Sequence, residues 1–145
     1  MRRLALVVAA GLVLAGCGSS SKTTSTGNSA AQAEAQITSA YQKFFSGKAS
    51  VSDRAAVLQD GSKFKSVIQT FASNPLAKQV KVSVSSVKLE GSDKAKVVYT
   101  VKLGSAGLPK QTGTAVRQNG TWKVGYASLC RLVALQGPAP PDCAP

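Results

Sequence analysis

The sequence predicts an α+β fold in which N-terminal helices pack on a curved, four-stranded antiparallel sheet. Three observations carry that prediction. Apolar residues recur at helical spacing as far as Ala72, then at every second position from Val80 onward. The switch follows Asn74-Pro75, where the proline cannot continue a helix. The alternation then slips phase once, across Ser85-Ser86. A one-residue β-bulge there would bend the strand and leave a concave side for the helices.

Each element has its own signal. In Ala30 to Phe45 (AAQAEAQITSAYQKFF), Ile37, Tyr41, Phe44 and Phe45 fall at i, i+4, i+7 and i+8, one apolar stripe on a helix. Ser29 is its expected N-cap, and Gly47 suits the left-handed residue that ends it. Ser50 or Ser52 caps a short helix from about Asp53 to Leu58, closed by Asp60-Gly61. Ser62 opens a third helix, Lys63 to Ala72, with Phe64, Val67, Ile68 and Phe71 on one face. In the sheet, Val80, Val82 and Val84 precede the slip, and Val87 and Leu89 follow it. Gly91-Ser92-Asp93 makes a turn into a strand whose Ala95, Val97, Tyr99, Val101 and Leu103 face one way, while Lys96, Thr100 and Lys102 face water. After a Gly/Pro loop from Gly104 to Lys110 comes a third strand, Gln111 to Gln118. Asn119-Gly120 is a two-residue hairpin signal leading to a fourth, Thr121 to Tyr126, with Trp122, Val124 and Tyr126 on a shared face. Ser128 to Leu135 fits either a closing helix or a continuation of the last strand, and the tail from Gly137 to Pro145 is extended.

The first residues form a different unit. Arg2 and Arg3 precede an apolar run, Leu4 to Ala15, of twelve residues. As a helix this run spans roughly 18 Å, short of the ~30 Å hydrocarbon core, so it reads as a signal h-region and not a transmembrane span. Leu14-Ala15-Gly16-Cys17 at its end resembles the lipobox of bacterial lipoproteins. The resemblance implies cleavage before Cys17, with small residues at Ala15 and Gly16 giving the peptidase access. The Cys17 thiol would then carry a diacylglyceryl group, with palmitate-like acyl chains fixing the protein to the membrane. A plain secretory signal with an incidental cysteine is the alternative. The Ser/Thr/Gly-rich stretch after it has no large apolar residue, so residues 17–29 read as a tether with a reach of about 20 Å. The organisation expected is thus 1–16 signal peptide, 17–29 lipidated flexible tether and 30–145 one α+β domain.

Cleavage would leave sixteen basic against six acidic residues, a net +10, on a lipid-anchored, extracytoplasmic protein. Such a charge favours anionic lipids or anionic wall polymers as partners. The lysines are scattered along the chain without interleaved stacking aromatics, so nucleic acid is not an expected partner. With Cys17 lipidated, Cys130 and Cys143 remain in an oxidising compartment. A structural disulfide is their expected use, closing a loop of about fourteen residues and contributing roughly 3 kcal/mol. The alternatives are a metal site or a catalytic thiol. The chain has no His, which removes a Cys–His nucleophile and leaves zinc few donors.

Two stretches together resemble the C-terminal domain of the low-molecular-weight secreted antigen family of mycobacteria and related actinobacteria. The first is Ile37 through YQKFFSGKASVSDRAAVLQDG, with Val57 to Gly61 before the third helix. The second is NGTWKVGYASLCRLVAL, with Asn119, Gly120, Trp122 and Ser128. The resemblance covers roughly Ala33 to Gly137. It implies a cone similar to nuclear transport factor 2-like and cystatin-like domains, and it transfers no active-site residue. The lipobox, the Cys130/Cys143 pair and the basic balance depart from the family pattern.

Enzymes of that cone shape place an Asp–His or Asp–Tyr pair in the pocket between helices and sheet. Here the carboxylates Glu34, Asp53, Asp60, Glu90, Asp93 and Asp142 fall on a helix surface, in turns or in the tail, and none on an inward strand position. No phosphate-binding loop, dinucleotide fingerprint or nucleophile elbow is present. No catalytic residue, metal or cofactor is therefore expected. Tyr41, Phe45, Phe71, Tyr99, Trp122 and Tyr126 could line a ligand cavity, or fill the core. Two functions follow: a non-enzymatic binding module at the cell envelope for an apolar small molecule or a protein partner, or a structural, accessory lipoprotein with a filled core and an adhesive basic surface. Cavity volume separates them.

Overall fold

A computed structural model describes residues 24–134 and 137–143, with side chains from residue 29. The expectations for Leu14, Ala15, Gly16 and Cys17, and for the signal they close, concern residues outside this range. The elements run α1 (Thr24–Phe45), α2 (Val51–Ala56), α3 (Lys65–Ser73), a 3₁₀ turn (Pro75–Gln79), β1 (Val80–Leu89), β2 (Lys94–Leu103), β3 (Ala106–Gly107), β4 (Gln111–Gln118), β5 (Thr121–Val124), α4 (Tyr126–Ala134) and a second 3₁₀ turn (Pro141–Cys143). This is the expected α+β class, helices first and a curled antiparallel sheet after. Among these helices none is long and apolar enough to cross a membrane.

The helix α1 begins at Thr24, so Ser29 is not its N-cap and residues 24–29, expected in the tether, are helical. Once a helix is nucleated, each added residue brings one hydrogen bond at little further cost, and even weak helix formers extend it. α2 has a full capping box. The Ser50 hydroxyl accepts from the Asp53 N–H at 3.1 Å, and Asp53 accepts from the Ser50 backbone. Ser62 does not cap α3, whose N-cap is Phe64 without a side-chain bond. Asn74 ends α3 and starts the 3₁₀ turn, its side chain accepting from the Leu76 N–H at 2.9 Å.

The sheet order is β1-β2-β4-β5, with the two-residue β3 pairing β2 inside the loop read as Gly104 to Lys110. The bulge is where the phase slip puts it: pairing shifts between Val84 and Ser86, leaving Ser85 unmatched. Asn119 and Gly120 both have positive φ, 52° and 77°, as a type I′ turn requires. The last strand is shorter than expected, because the chain turns at Gly125 and Tyr126 already belongs to α4. A Cβ on Gly125 would run into Thr114.

Both sides of the β5 region are covered. Val57 and Gln59 exchange backbone hydrogen bonds with Val124 at 2.8 Å, a short parallel bridge that seals the β5 edge. Beyond β5, α4 takes the place of a strand along β4. The Arg131 guanidinium donates to the Thr112 carbonyl at 2.6 Å, and the Thr114 N–H donates to the Ser128 hydroxyl at 3.2 Å. The core between α1 and the sheet is aromatic, with Tyr41, Phe44, Phe45 and Tyr99 all at most 1% exposed.

Candidate functional site

The fold leaves an apolar opening at the end of the cone where β1 begins and β2 ends. Val80, paired with Leu103, and Val101 project from the inward face of the sheet. Phe45 arrives at the end of α1 and Phe71 from α3. Leu76 and Ala77 come from the 3₁₀ turn that Asn74 caps, and Leu132 from α4. The loop after β2 folds back through β3, so that the Leu108 N–H donates to the Val101 carbonyl at 2.8 Å and closes the ring. Together they bound a cleft of about 420 Å³ in which, among the described residues, Asn74 is the one polar side chain. Leu76 stands at this opening 53% exposed.

The six aromatics of the expected cavity do not share it. Phe45 and Phe71 line the cleft. Tyr41 and Tyr99 are core, their rings 5.1 Å apart and each packed on Phe45. Trp122 is buried at the other end, beside Arg117 and residues Ser29 to Gln36 of α1, next to a more polar hollow of about 320 Å³. Tyr126 lies outside, 42% exposed and stacked on Phe64 at 5.6 Å, because the turn at Gly125 removes it from the strand face it was expected to share. The interior of the cone is thus filled, and the open volume sits at its mouth.

A second polar constellation is buried between α1, β4 and α4. The Tyr41 hydroxyl donates to the Thr114 carbonyl at 2.8 Å. Its proton being so used, it accepts from the Ser128 hydroxyl at 3.2 Å. Gly113 permits this, since a Cβ there would meet both hydroxyls. Burial pushes the Tyr41 phenol far above its ordinary range, with the Ser128 bond opposing. The phenol stays protonated, and the pair ties α1, β4 and α4 together through its hydrogen bonds.

Arg54 is the residue that sequence reasoning passed over. It is 2% exposed, with its guanidinium donating to the Ser46 carbonyl at 2.7 Å and the Ala49 carbonyl at 3.3 Å, just past the end of α1. Its third nitrogen, Nη1, has no partner, and the group lies 5.4 Å from the centre of the Phe71 ring. Desolvation lowers its pKa. The signal was available: in the sequence Val51, Arg54, Ala55 and Leu58 follow helical spacing, with a charge set among apolar residues, and the first three lie in α2.

Cys130 and Cys143 are joined, their Cα atoms 5.4 Å apart, which decides between disulfide and the thiol alternatives. Among the described residues no group of three or more His, Cys, Asp or Glu side chains could hold a metal ion.

Comparison with known proteins follows the same outline. The family model for "Low molecular weight antigen MTB12, C-terminal domain" matches residues 30–140, well over half of the chain. No curated protein matches it. Among solved structures the chain is similar to an NTF2-like protein from Campylobacter jejuni, with 10% identity and a TM-score of 0.42 over 61% of this chain and 92% of that one. It is also similar to a domain of unknown function with a cystatin-like fold from Nostoc punctiforme, with 16% identity and a TM-score of 0.37 over 71% of this chain and 76% of that one. The chain's own topology, rather than these distant likenesses, carries its fold class.

Proposed function

The chain belongs to the family of the low molecular weight antigen MTB12 C-terminal domain, and we propose that it is a lipid-anchored, non-enzymatic binding module of an actinobacterial cell envelope. One observation carries the binding reading. The cleft at the mouth of the cone has the size and lining of a small-ligand site, about 420 Å³ with a single polar group among apolar ones. Its natural occupant is an apolar molecule, a lipid chain above all, with Asn74 beside any polar end. The signal-like N-terminus and the Leu14-to-Cys17 box support lipidation of Cys17 and placement on the outer face of the membrane, where such ligands are abundant. The absence of His from the sequence, and the protonated, fully bonded state of Tyr41, support a role without acid–base or nucleophilic chemistry.

Native mass spectrometry of the protein from its own host tests this directly. The expected result is an apolar adduct on the wild-type protein that is lost in Leu108→Trp, a change that fills the cleft from its loop side, with a thermal melt showing that the variant is folded. The same spectra read the mass of the acyl group on Cys17. A bare protein would instead favour the structural, accessory reading, which has its own support in the filled aromatic interior.

A further inference from the structure

We infer that the sheet face turned away from the helices is a docking surface for an anionic phospholipid bilayer, held by five lysines that the fold collects there. The lysines look scattered in the sequence, but strand alternation gathers them. Lys81 and Lys88 in β1, and Lys94, Lys96 and Lys102 in β2, all alternate with inward-facing residues. All five therefore point outward, and no strand contains Asp or Glu. Lys123 of β5 stands apart from them, beside α2, Asp60 and Lys65. Register sharpens the point. Lys81 stands directly opposite Lys102, and Lys88 directly opposite Lys96. Like charges on facing positions repel and weaken a sheet, and cross-strand partners are where acidic residues would ordinarily be placed. Glu90, beside Lys96 and Arg131 at one edge, and Asp93 in the β1–β2 turn are the acidic groups near this face.

Charge complementarity selects the occupant. The two opposed pairs lie about 23 Å apart along β1, at 3.3 Å per residue, and Lys94 stands at the start of β2. Charges spread over a broad face suit an extended anionic plane, whereas a single polymer chain calls for a continuous track. No aromatic side chain points outward from the strands, since Tyr99 and Trp122 are both buried on the inner side. The contact is therefore electrostatic, without stacking or insertion, and acts within a Debye length of the surface. This orientation rests on the envelope placement proposed above. It would lay the domain flat beside its anchor and leave the cleft, at the end of the strands, open sideways.

Lysine footprinting tests it. The full protein is added to vesicles of phosphatidylcholine alone, or of phosphatidylcholine with phosphatidylglycerol, acetylated briefly, digested and read by mass spectrometry. The expected result is severalfold protection of Lys81, Lys88, Lys94, Lys96 and Lys102 by the anionic vesicles only, reversed by high salt. Lys48, Lys63, Lys65 and Lys123, on the helical side, should label equally in both. Equal labelling of the five in both vesicles would overturn the proposal, as would protection that falls on the helical-side lysines. Protection by soluble polyphosphate but not by vesicles would overturn it in favour of a wall polymer. The intact mass reports Cys17 acylation separately, so failure of the anchor and failure of the docking face are distinguishable.

Discussion

Buried polar groups set the residue-scale energetics, and Tyr41 is the clearest of them. Its phenol is fully buried and bonded to Thr114 and Ser128, so the folded state holds it neutral well beyond the pH at which a free tyrosine ionises. Burial raises Tyr99 in the same direction. A group whose folded pKa is raised contributes stability that is complete below its unfolded pKa, near 10, and lost progressively above it. Urea midpoints should therefore be level through neutral pH and fall above about pH 10, and Tyr41→Phe should make that fall shallower. At neutral pH the same change should cost about 1 kcal/mol, since it removes one hydroxyl from a three-way contact. A steep alkaline decline left unchanged in Tyr41→Phe would show that another group controls it. Arg54 makes a different prediction. Arg54→Ala strips donors from the Ser46 and Ala49 carbonyls and leaves a void under Phe71, at a cost of about 3 kcal/mol. Arg54→Met keeps the packing volume and sheds an orphaned Nη1, so thermal denaturation should place it well above the alanine variant. Ser128 was legible as a residue of the family-like segment, but its role was not. Its partners lie 14 and 87 positions away, and no local spacing encodes them.

At the scale of elements, what could be read in advance was what neighbouring residues decide. The bulge at Ser85, the positive-φ pair Asn119-Gly120 and the cap at Ser50, one of the two serines the sequence offered, all rest on local sterics or hydrogen bonds, and each appears where its signal lies. The end of β5 was not readable. Whether the chain continues as strand past Val124 depends on Thr114, which receives the Gly125 N–H at 2.7 Å and crowds any Cβ there. That contact between segments removed Tyr126 from the expected cavity. The cleft itself was half legible for the same reason: Phe45 and Phe71 were identifiable as apolar helix residues, but the ring around them closes through Leu108, carried in by a loop. The disulfide joins α4 to the final turn across 13 residues, and its reduction should release the tail. The chain-entropy relation gives roughly 3 kcal/mol for a loop of that length. For a domain near this size the corresponding drop in Tm is on the order of 10 °C. Scanning calorimetry with and without a phosphine reductant measures it, and an unchanged Tm would mean the tail adds nothing to the cooperative unit.

The whole molecule carries a formal charge of +12, and this excess is scarcely compensated within the fold. Among the described residues a single ion pair forms, Lys43 with Asp53 at 3.4 Å, and both partners are about half exposed. Together with hydrogen bonds from Ser50, which act more strongly, it holds the Asp53 carboxyl below its usual range. The remaining excess is positive, and like charges stand directly opposed where Lys81 faces Lys102 and Lys88 faces Lys96. Self-repulsion of this kind opposes the compact state at low ionic strength and is screened by salt. The Debye length shrinks from about 30 Å at 0.01 M to about 8 Å at 0.15 M, so lysines at opposite ends of the sheet interact in the first condition and scarcely in the second. Raising sodium chloride across that range should therefore raise Tm. The effect should reach a plateau once only the directly opposed amines still feel one another. Lys102→Glu converts the Lys81–Lys102 opposition into an attractive pair, and should add roughly 0.5 kcal/mol at low salt while flattening the salt dependence. A Tm that fell with added salt would mean that attractive pairs dominate and that the basic surface is internally balanced. If Tm rises as expected, an anionic surface that supplies the missing counter-charge stabilises the fold as it binds it, because any ligand of the native state alone shifts the folding equilibrium.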